Sequence, residues 1–345
     1  MKLLHNRYTI HPRVPFAIAR SSETAYDRVR VRLVDDAGIE GWGEAAPNKF
    51  YAESADTVEA ALIPLAAMVE RGTSIDSLRV IDSLEEQMRT SVRGAASARS
   101  AVSAAAHDLL GKKLGKPLFE LLGLEPMHAP PSSFTIVITH DETELIRRVE
   151  DARRYPILKV KLGSDRDDWI VKTVRRAAPG KLLRADANTA WTLDRARSMT
   201  RLLADNGFEL VEQPLARDDI DGLRALTRES PIPVIADESC LTATDIPALD
   251  GAVNGINIKL SKCGGLAEAA RMAHEARRRE MRVMLGCMVE SSLGITAMAH
   301  LAPLANYADL DGAALLRDDP FVGATIDDGL IRLPATPGLG VRLRA

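Results

Sequence analysis

Five charged residues close successive apolar runs in the second half of the sequence, at almost constant spacing. They are Lys161, Asp186, Glu212, Asp237 and Lys259, which lie 25, 26, 25 and 22 residues apart. Each interval has the length of one strand-helix unit, so the five residues predict the carboxyl ends of consecutive parallel strands. In a closed barrel these ends meet at one face, where active sites form. Three carboxylates and two amines together could bind a cation and transfer a proton.

The three carboxylates favour a metal site. A single Asp or Glu after a strand is often only a helix N-cap, and that alternative stays open for each of Asp186, Glu212 and Asp237. Together they would repel one another and raise their pKa values unless a cation neutralised them. All three are hard oxygen donors, and no His or Cys lies at a matching strand end except Cys287, three residues before Glu290. We therefore expect Mg²⁺ rather than zinc.

Two lysines share one strand in ILKVKLG (157–163). Side chains alternate along a strand, so Lys159 and Lys161 point to the same face. Their mutual repulsion, and a metal ion nearby, would lower the pKa of Lys161 and suit it to act as a base. Lys259, four strands further on, is expected across the barrel mouth, where it could return a proton to the opposite face of a carbon atom. The alternative for the pair alone is an edge strand whose lysines extend to solvent.

Composition excludes several classes of protein. The 345 residues are 46% hydrophobic and 27% charged with a net charge of −3, which is typical of a soluble globular chain. The three cysteines, Cys240, Cys263 and Cys287, form no CxxC or Cys/His pattern and favour a reducing compartment. The N-terminal residues lack the apolar core of a secretion signal, and no apolar window is long enough to span a membrane. We therefore expect a cytoplasmic protein with no nucleic-acid or membrane partner.

Periodicity divides the sequence into three segments. Residues 1–127 combine alternating strands with three helical stretches, Ser54–Arg71, Ser77–Thr90 and an alanine-rich run from Ala96 to Gly115, and predict an α+β domain. Residues 128–318 alternate short apolar runs with helix-period segments, which predicts a parallel sheet closed into a barrel. The apolar runs are SFTIVIT, ILKVKLG, KLLRADA, FELVEQP, IPVIADES, INIKLSK and RVMLGCM. Residues 319–345 return to short strands and are expected to pack back on the first domain.

These motifs resemble those of the enolase superfamily, and in particular those of dipeptide epimerases in its muconate-lactonizing-enzyme subgroup. KVK resembles the KxK motif, RADAN, VEQP and ADES resemble the three metal-ligand segments, and NIKLSKCGG resembles the segment with the opposing lysine. The helix AAAHDLLGKKLGKPLFELLG (104–123) is similar to one in the family's capping domain. The resemblance implies a modified TIM barrel, (β/α)7β, with an α+β capping domain built from the N-terminal part and the C-terminal tail. It also implies Mg²⁺ bound by Asp186, Glu212 and Asp237, and catalysis by Lys159, Lys161 and Lys259.

The subgroup also contains cycloisomerases and o-succinylbenzoate synthases, so the reaction depends on further residues. DLDG, with Asp309 and Asp311, resembles the DxD motif that holds the substrate's ammonium group in dipeptide epimerases, and two carboxylates on one strand face suit that cation. Arg20 resembles the cap-loop arginine that pairs with a glutamate side chain in Ala-Glu epimerases, although no second basic residue follows it here. A solvated turn and a surface arginine are the respective alternatives.

The resemblance implies a 1,1-proton transfer, through an enediolate, at the α-carbon of the C-terminal residue of a dipeptide. The expected substrate is L-Ala-D/L-Glu, and we expect a homo-oligomer. The loops Ser21–Thr24 and Asn48–Ser54 are expected to close over the substrate and set specificity. Two alternatives stay open. One is an o-succinylbenzoate synthase or muconate cycloisomerase reaction, in which Asp309 and Asp311 would have no ammonium group to bind; the other is a metal-binding barrel without catalytic activity.

Overall fold

The N-terminal part of the chain forms a capping domain of strands and helices. The structure, a computed structural model, describes residues 1–71 and 74–345. The strands of this part are β1 (Lys2–Ile10), β2 (Phe16–Ile18), β3 (Ser21–Glu23), β4 (Tyr26–Val34) and β5 (Glu40–Ala45), and the helices are α1 (Ala55–Glu70), α2 (Leu78–Ser91), α3 (Ala96–Leu114) and α4 (Leu118–Leu121). β1, β4 and β5 pair antiparallel in that order, whereas β2 and β3 form a separate hairpin.

Alternation along β4 places one face of the antiparallel sheet on the helices. Val29, Val31 and Leu33 are fully buried and pack with α1, α2 and α3 in one apolar core. Because α3 is rich in alanine and serine, β5 lies directly against it, and a Cβ added to Gly43 would overlap the carbonyl oxygen of Ala101. The predicted helical stretches are confirmed, with ends that differ from the predicted ones by at most one residue.

Residues 134–309 of the described chain form an eight-stranded parallel sheet that curls into a barrel. Its strands are β6 (Phe134–Ile136), β7 (Ile157–Lys161), β8 (Leu182–Asp186), β9 (Phe208–Glu212), β10 (Val234–Ala236), β11 (Gly255–Ile258), β12 (Arg282–Gly286) and β13 (Tyr307–Asp309). Each strand pairs with the next one along the chain. The backbone N–H of Ser133, just before β6, donates to the carbonyl of Ala308 at 3.0 Å, so the first and last strands meet and the predicted barrel is confirmed.

The helices of the second part follow the strands of the barrel. They are α5 (Glu142–Asp151), α6 (Asp167–Ala177), α7 (Leu193–Asp205), α8 (Ile220–Glu229), α9 (Ile246–Leu249), α10 (Leu260–Cys263), α11 (Leu266–Arg278) and α12 (Ser292–Ala299).

The run INIKLSK does not form the single strand that the sequence predicts. β11 ends at Ile258, and the short helix α10 follows it and ends before Gly264, whose φ is +91°. β13 is absent from the predicted runs because Tyr307–Asp309 lies in NYADLDG, which contains no continuous apolar run. No helix of residues 1–71 or 74–345 is long and apolar enough to cross a membrane.

The C-terminal segment contacts both the capping domain and the barrel. Its strands are β14 (Phe321–Val322), β15 (Thr325–Asp327), β16 (Leu330–Arg332) and β17 (Arg342–Leu343). The ring of Phe321 lies edge-on to those of Tyr8 and Trp42, with centroids 5.7 and 6.2 Å away. The carbonyl of Gly329 accepts a hydrogen bond from Ser132 N at 2.7 Å, next to the barrel. The domain boundaries at residues 127 and 318 stay a prediction.

Gly43→Ala should destabilise the capping domain, because the added methyl group overlaps backbone atoms of α3 that cannot move without shifting the helix. Overpacking of this kind costs about 1–3 kcal/mol. Gly180→Ala is the matched control, since an added Cβ there meets no atom within 4 Å. Urea unfolding followed by circular dichroism should give a lower midpoint for Gly43→Ala alone. Equal midpoints for the two variants would contradict the packing of β5 on α3.

Candidate active site

The predicted site residues lie around one cavity of about 590 Å³ at the carboxyl ends of the barrel strands. Its walls include Lys159, Lys161, Lys259, Asp237, Asp309, Asp311 and Arg20. Asp186 and Glu212 are fully buried beside it, in contact with the ammonium group of Lys159. The hairpin of β2 and β3 and the loop after β5 line the cavity from the capping domain. The fold therefore brings together all the residues that the sequence proposes for the site.

Lys159 is the central cation of this site. Its Nζ lies 2.6 Å from Asp309 Oδ2, 2.7 Å from Glu212 Oε2 and 3.1 Å from Asp186 Oδ2. Burial disfavours the charged amine, but Asp309, Glu212 and Asp186 outweigh it and raise the pKa of Lys159 well above its ordinary value. Three carboxylates from three different strands thus hold Lys159 in place as an ammonium group.

Lys161 and Lys259 lie on opposite sides of the cavity. Lys161 ends β7 and Lys259 directly follows β11, and these strands are four positions apart in the barrel in either direction. Each Nζ contacts a carboxylate at 2.7 Å, Asp186 Oδ2 for Lys161 and Asp237 Oδ2 for Lys259. Burial opposes the charge on Lys259, but Asp237 and Glu212 raise its pKa overall. Asp186 contacts both Lys159 and Lys161, and its negative charge offsets the repulsion expected between the two amines.

The three predicted metal ligands differ in the direction of their pKa shifts. Burial and the neighbouring Asp186 raise the pKa of Glu212 to about 7. Burial also disfavours ionised Asp186 and Asp237, but adjacent lysines reverse the effect and lower the pKa of both carboxyls. Of the three carboxylates, Glu212 is therefore the one whose negative charge the lysines compensate least. A further cation beside it would favour its ionised form.

The donor set fits Mg²⁺. Asp186, Glu212 and Asp237 come from the ends of three adjacent strands and supply only carboxylate oxygens. Lys159 Nζ approaches Glu212 Oε2 without the angles of a hydrogen bond, so this buried oxygen has no hydrogen-bond partner in the part of the chain that the structure describes. Among residues 1–71 and 74–345, no three His, Cys, Asp or Glu side chains are arranged closely enough to hold an ion as they stand. Instead, Asp186, Glu212 and Asp237 contact the ammonium groups of nearby lysines.

Asp309 and Asp311 both line the cavity, but they do not share a strand. β13 ends at Asp309, and Asp311 precedes a 3-10 turn at Gly312–Leu315, so the expected common strand face is wrong. Asp309 Oδ1 accepts from Ser133 Oγ at 2.6 Å, and Asp311 Oδ2 accepts from the backbone N–H of Thr135 at 2.6 Å. Burial and the charge of Asp309 raise the pKa of Asp311 to about 7. A cationic ligand between the two side chains would relieve that repulsion.

Arg20 reaches from the cap loop between β2 and β3 to the barrel. Its Nη1 donates to the carbonyl of Asn188 at 2.7 Å, and its Nη2 donates to Glu238 Oε1 at 2.8 Å. The guanidinium also lies over the ring of Phe50, 4.2 Å from its centroid. Arg20 lines the cavity with about a third of its side chain exposed, but the sequence did not reveal that Glu238 is its ion-pair partner.

The two expected cap loops contact each other over the cavity. Lys49 of Asn48–Ser54 pairs with Glu23 of the other loop at 2.9 Å. Asn48 Nδ2 also lies 3.4 Å from the sulfur of Met288, in the loop after β12. The loops therefore form one cover that is joined to the barrel by Arg20 and Asn48.

Two further residues contact the candidate site without being predicted from the sequence. Glu238 directly follows Asp237 in ADES and lines the cavity. Lys262 is fully buried, and its Nζ donates to Asp237 Oδ1 at 2.6 Å and to the carbonyls of Asp237, Cys240 and Asn257. A second lysine in NIKLSK was a usable signal, but reading that run as a strand hid the turn of α10 that directs Lys262 to Asp237.

Comparisons with known families cover almost all of the chain. Residues 2–123 match the N-terminal domain of the mandelate racemase / muconate lactonizing enzyme family, and residues 141–345 match the enolase C-terminal domain-like family. The chain is 36% identical to an L-Ala-D/L-amino acid epimerase of a Maribacter species, with 99% of each chain covered. It is also 36% identical to the L-Ala-D/L-Glu epimerase of Bacteroides thetaiotaomicron, with 99% of this chain and 88% of the other covered.

Solved structures have the same fold. A dipeptide epimerase of Enterococcus faecalis, complexed with Mg and the dipeptide L-Leu-L-Tyr, superposes with a TM-score of 0.92 at 31% identity, covering 99% of this chain and 98% of the other. A substrate-liganded L-Ala-D/L-Glu epimerase of Bacillus subtilis gives a TM-score of 0.92 at 29% identity, covering 100% and 99%. The likeness thus extends over the capping domain and the barrel together.

Glu212→Gln should flatten the pH dependence of stability of the chelator-treated protein. The pKa of Glu212 rises from its ordinary value of 4.5 to about 7 on folding, so the folded state holds this proton more tightly. The resulting stabilisation is complete below the unfolded pKa and is lost as the pH rises through about 7. From about pH 5 to pH 8 the thermal midpoint should fall less in Glu212→Gln than in the wild type or in the exposed control Glu150→Gln. Parallel curves for all three proteins would contradict this assignment.

Proposed function

Because the chain belongs to the mandelate racemase / muconate lactonizing enzyme family, we propose that it is a Mg²⁺-dependent dipeptide epimerase, an isomerase whose substrate is L-Ala-D/L-Glu. Family matches to both domains and relatives of 36% identity with epimerase activity on such dipeptides support the proposal. The single observation that carries it is the placement of Lys161 and Lys259 on opposite sides of one cavity.

The two lysines supply the proton transfer. An epimerase removes the α-proton from one face of a carbon atom and returns a proton to the other. One neutral amine takes the proton while the opposing ammonium group donates one, and the roles of Lys161 and Lys259 exchange with the direction of the reaction. Asp186 and Asp237 hold the two Nζ atoms at 2.7 Å and so fix where each amine can reach.

Lys159 would bind the C-terminal carboxylate of the dipeptide, next to the three carboxylates that would hold the metal ion. The Lys159 ammonium group is buried beside carboxylates that favour its charged form, so it would stabilise the negative charge that develops on the substrate carboxylate as the α-proton leaves. Asp186, Glu212 and Asp237 would hold Mg²⁺. When bound, Mg²⁺ supplies a Lewis acid for the same carboxylate.

The acidic pair Asp309 and Asp311 would bind the N-terminal ammonium group. Both carboxylates line the cavity, and a primary ammonium offers three donors to them. This feature favours a dipeptide over the substrates of o-succinylbenzoate synthases and muconate cycloisomerases, which have no ammonium group.

The proposed location is the cytoplasm. Cys240, Cys263 and Cys287 are free thiols, which supports it. A homo-oligomer stays a prediction.

A dipeptide panel tests the proposal. The purified protein with Mg²⁺ should convert L-Ala-L-Glu to L-Ala-D-Glu, followed by NMR, and excess chelator should stop the reaction because the carboxylate cluster then lacks its cation. The substrates of o-succinylbenzoate synthase and muconate cycloisomerase form the comparison arm. No epimerisation across L-Ala-L-Xaa dipeptides, or turnover of a comparison substrate instead, would contradict the proposed reaction.

Arg20→Met should change specificity for the C-terminal side chain. Arg20 has N–H donors beyond those used by Asn188 and Glu238, and it lines the cavity where the cap loop contacts the barrel. Its remaining N–H donors would form charge-assisted hydrogen bonds to a carboxylate side chain, which an apolar side chain cannot accept. The ratio of kcat/KM for L-Ala-L-Glu to that for L-Ala-L-Val should fall more than about tenfold, which corresponds to about 1.4 kcal/mol. An unchanged ratio would show that Arg20 does not read the side chain.

A further inference from the structure

Arg20 connects the capping domain to two loops that each follow a proposed metal ligand. Asn188, whose carbonyl accepts from Arg20, lies two residues after Asp186, and Glu238 directly follows Asp237. Asn188 is also tied to the ligand itself, because its backbone N–H donates to Asp186 Oδ1 at 2.9 Å. One guanidinium on the cap therefore spans the ends of β8 and β10.

Two buried polar atoms beside Arg20 have no hydrogen-bond partner among the described residues. They are Glu238 Oε2 and Asn188 Oδ1. Glu238 is only 1% exposed and lines the cavity, and its other oxygen, Oε1, is taken by Arg20 and lies 3.4 Å from Asn188 Nδ2. A buried carboxylate oxygen without a donor costs free energy, so this atom indicates a ligand that donates hydrogen bonds.

We infer that Glu238 couples the metal site to the cap loops, with Oε1 bound to Arg20 and Oε2 available to a water ligand of Mg²⁺. The inference rests on the Mg²⁺ dependence in the proposed function. Mg²⁺ usually keeps several of its waters, which are strong donors, and residues that accept from such waters orient the site. Glu238 is thus a positioning residue that touches the cap with one oxygen and the ion's hydration shell with the other.

Through this coupling, metal binding should order the two cap loops that cover the site. A carboxylate held at Oε2 loses rotational freedom and presents Oε1 to Arg20 at a smaller entropic cost. Arg20 in turn packs on Phe50 of the other cap loop, so both loops respond together. Mg²⁺ should therefore order the loops before any substrate binds.

Hydrogen exchange of the substrate-free protein, with and without saturating MgCl₂, tests the coupling. In the wild type, Mg²⁺ should slow amide exchange of peptides covering residues 16–25 and 47–54 by at least about threefold. Glu238→Gln should bind Mg²⁺ about tenfold more weakly by calorimetry and, at saturation, show no such slowing. Arg20→Met, which leaves the carboxylate in place and changes only a partly exposed side chain, should bind Mg²⁺ and also show no slowing.

Glu23→Gln is the matched control, because it removes a cap-loop ion pair that has no barrel partner. It should keep both the Mg²⁺ affinity and the metal-dependent slowing. Unchanged exchange in the wild type, the same slowing in Glu238→Gln or Arg20→Met, or wild-type Mg²⁺ affinity in Glu238→Gln would overturn the coupling. A protein that orders its loops with Mg²⁺ but epimerises no dipeptide would contradict the proposed reaction alone.

Discussion

Compensation of buried charge at the barrel mouth is the constraint on which the site depends. Four lysines and six acidic side chains lie there, each at most 7% exposed: Lys159, Lys161, Lys259, Lys262, Asp186, Glu212, Asp237, Glu238, Asp309 and Asp311. An uncompensated charge in such a place would cost several kcal/mol. The lysines compensate the acidic charges by direct contact with the carboxylates. Lys159 by itself contacts carboxylates from three strands. Glu212 and Glu238 each keep one carboxylate oxygen without a hydrogen-bond partner in the described part of the chain, next to the position proposed for Mg²⁺.

Barrel topology converts this charge network into a reactive arrangement. Parallel strands place every carboxyl end at one face, where β7, β8, β9 and β13 end at Lys161, Asp186, Glu212 and Asp309. A separation of four strands in a ring of eight is the largest possible one, and it gives Lys161 and Lys259 opposite approaches to one carbon atom. The capping domain covers the same opening, and Arg20 joins it to the loops behind the carboxylates. Position in the barrel, more than residue type alone, therefore defines each proposed role.

The sequence predicts most of the barrel site because the relevant signals are local. Lys161, Asp186, Glu212 and Asp237 end or follow short apolar runs, and the strand period is enough to place them. The ion pair between Arg20 and Glu238 has no such signal, because it joins residues 218 positions apart on different domains. Asp311 was assigned to a strand because β13 is too short to show where it ends. Lys262 was overlooked because the change from strand to helix within INIKLSK depends on Gly264 and on tertiary contacts.

The most direct measurement of the two-base arrangement is solvent deuterium exchange at the α-carbon by Lys161→Ala and Lys259→Ala. Each variant is incubated with Mg²⁺ in deuterated water, separately with L-Ala-L-Glu and L-Ala-D-Glu, and the glutamyl α-position is followed by NMR. If the lysines act on opposite faces, neither variant epimerises, each exchanges with one epimer only, and the two variants act on different epimers. Epimerisation retained by either variant, or exchange of the same epimer by both, would contradict the assignment.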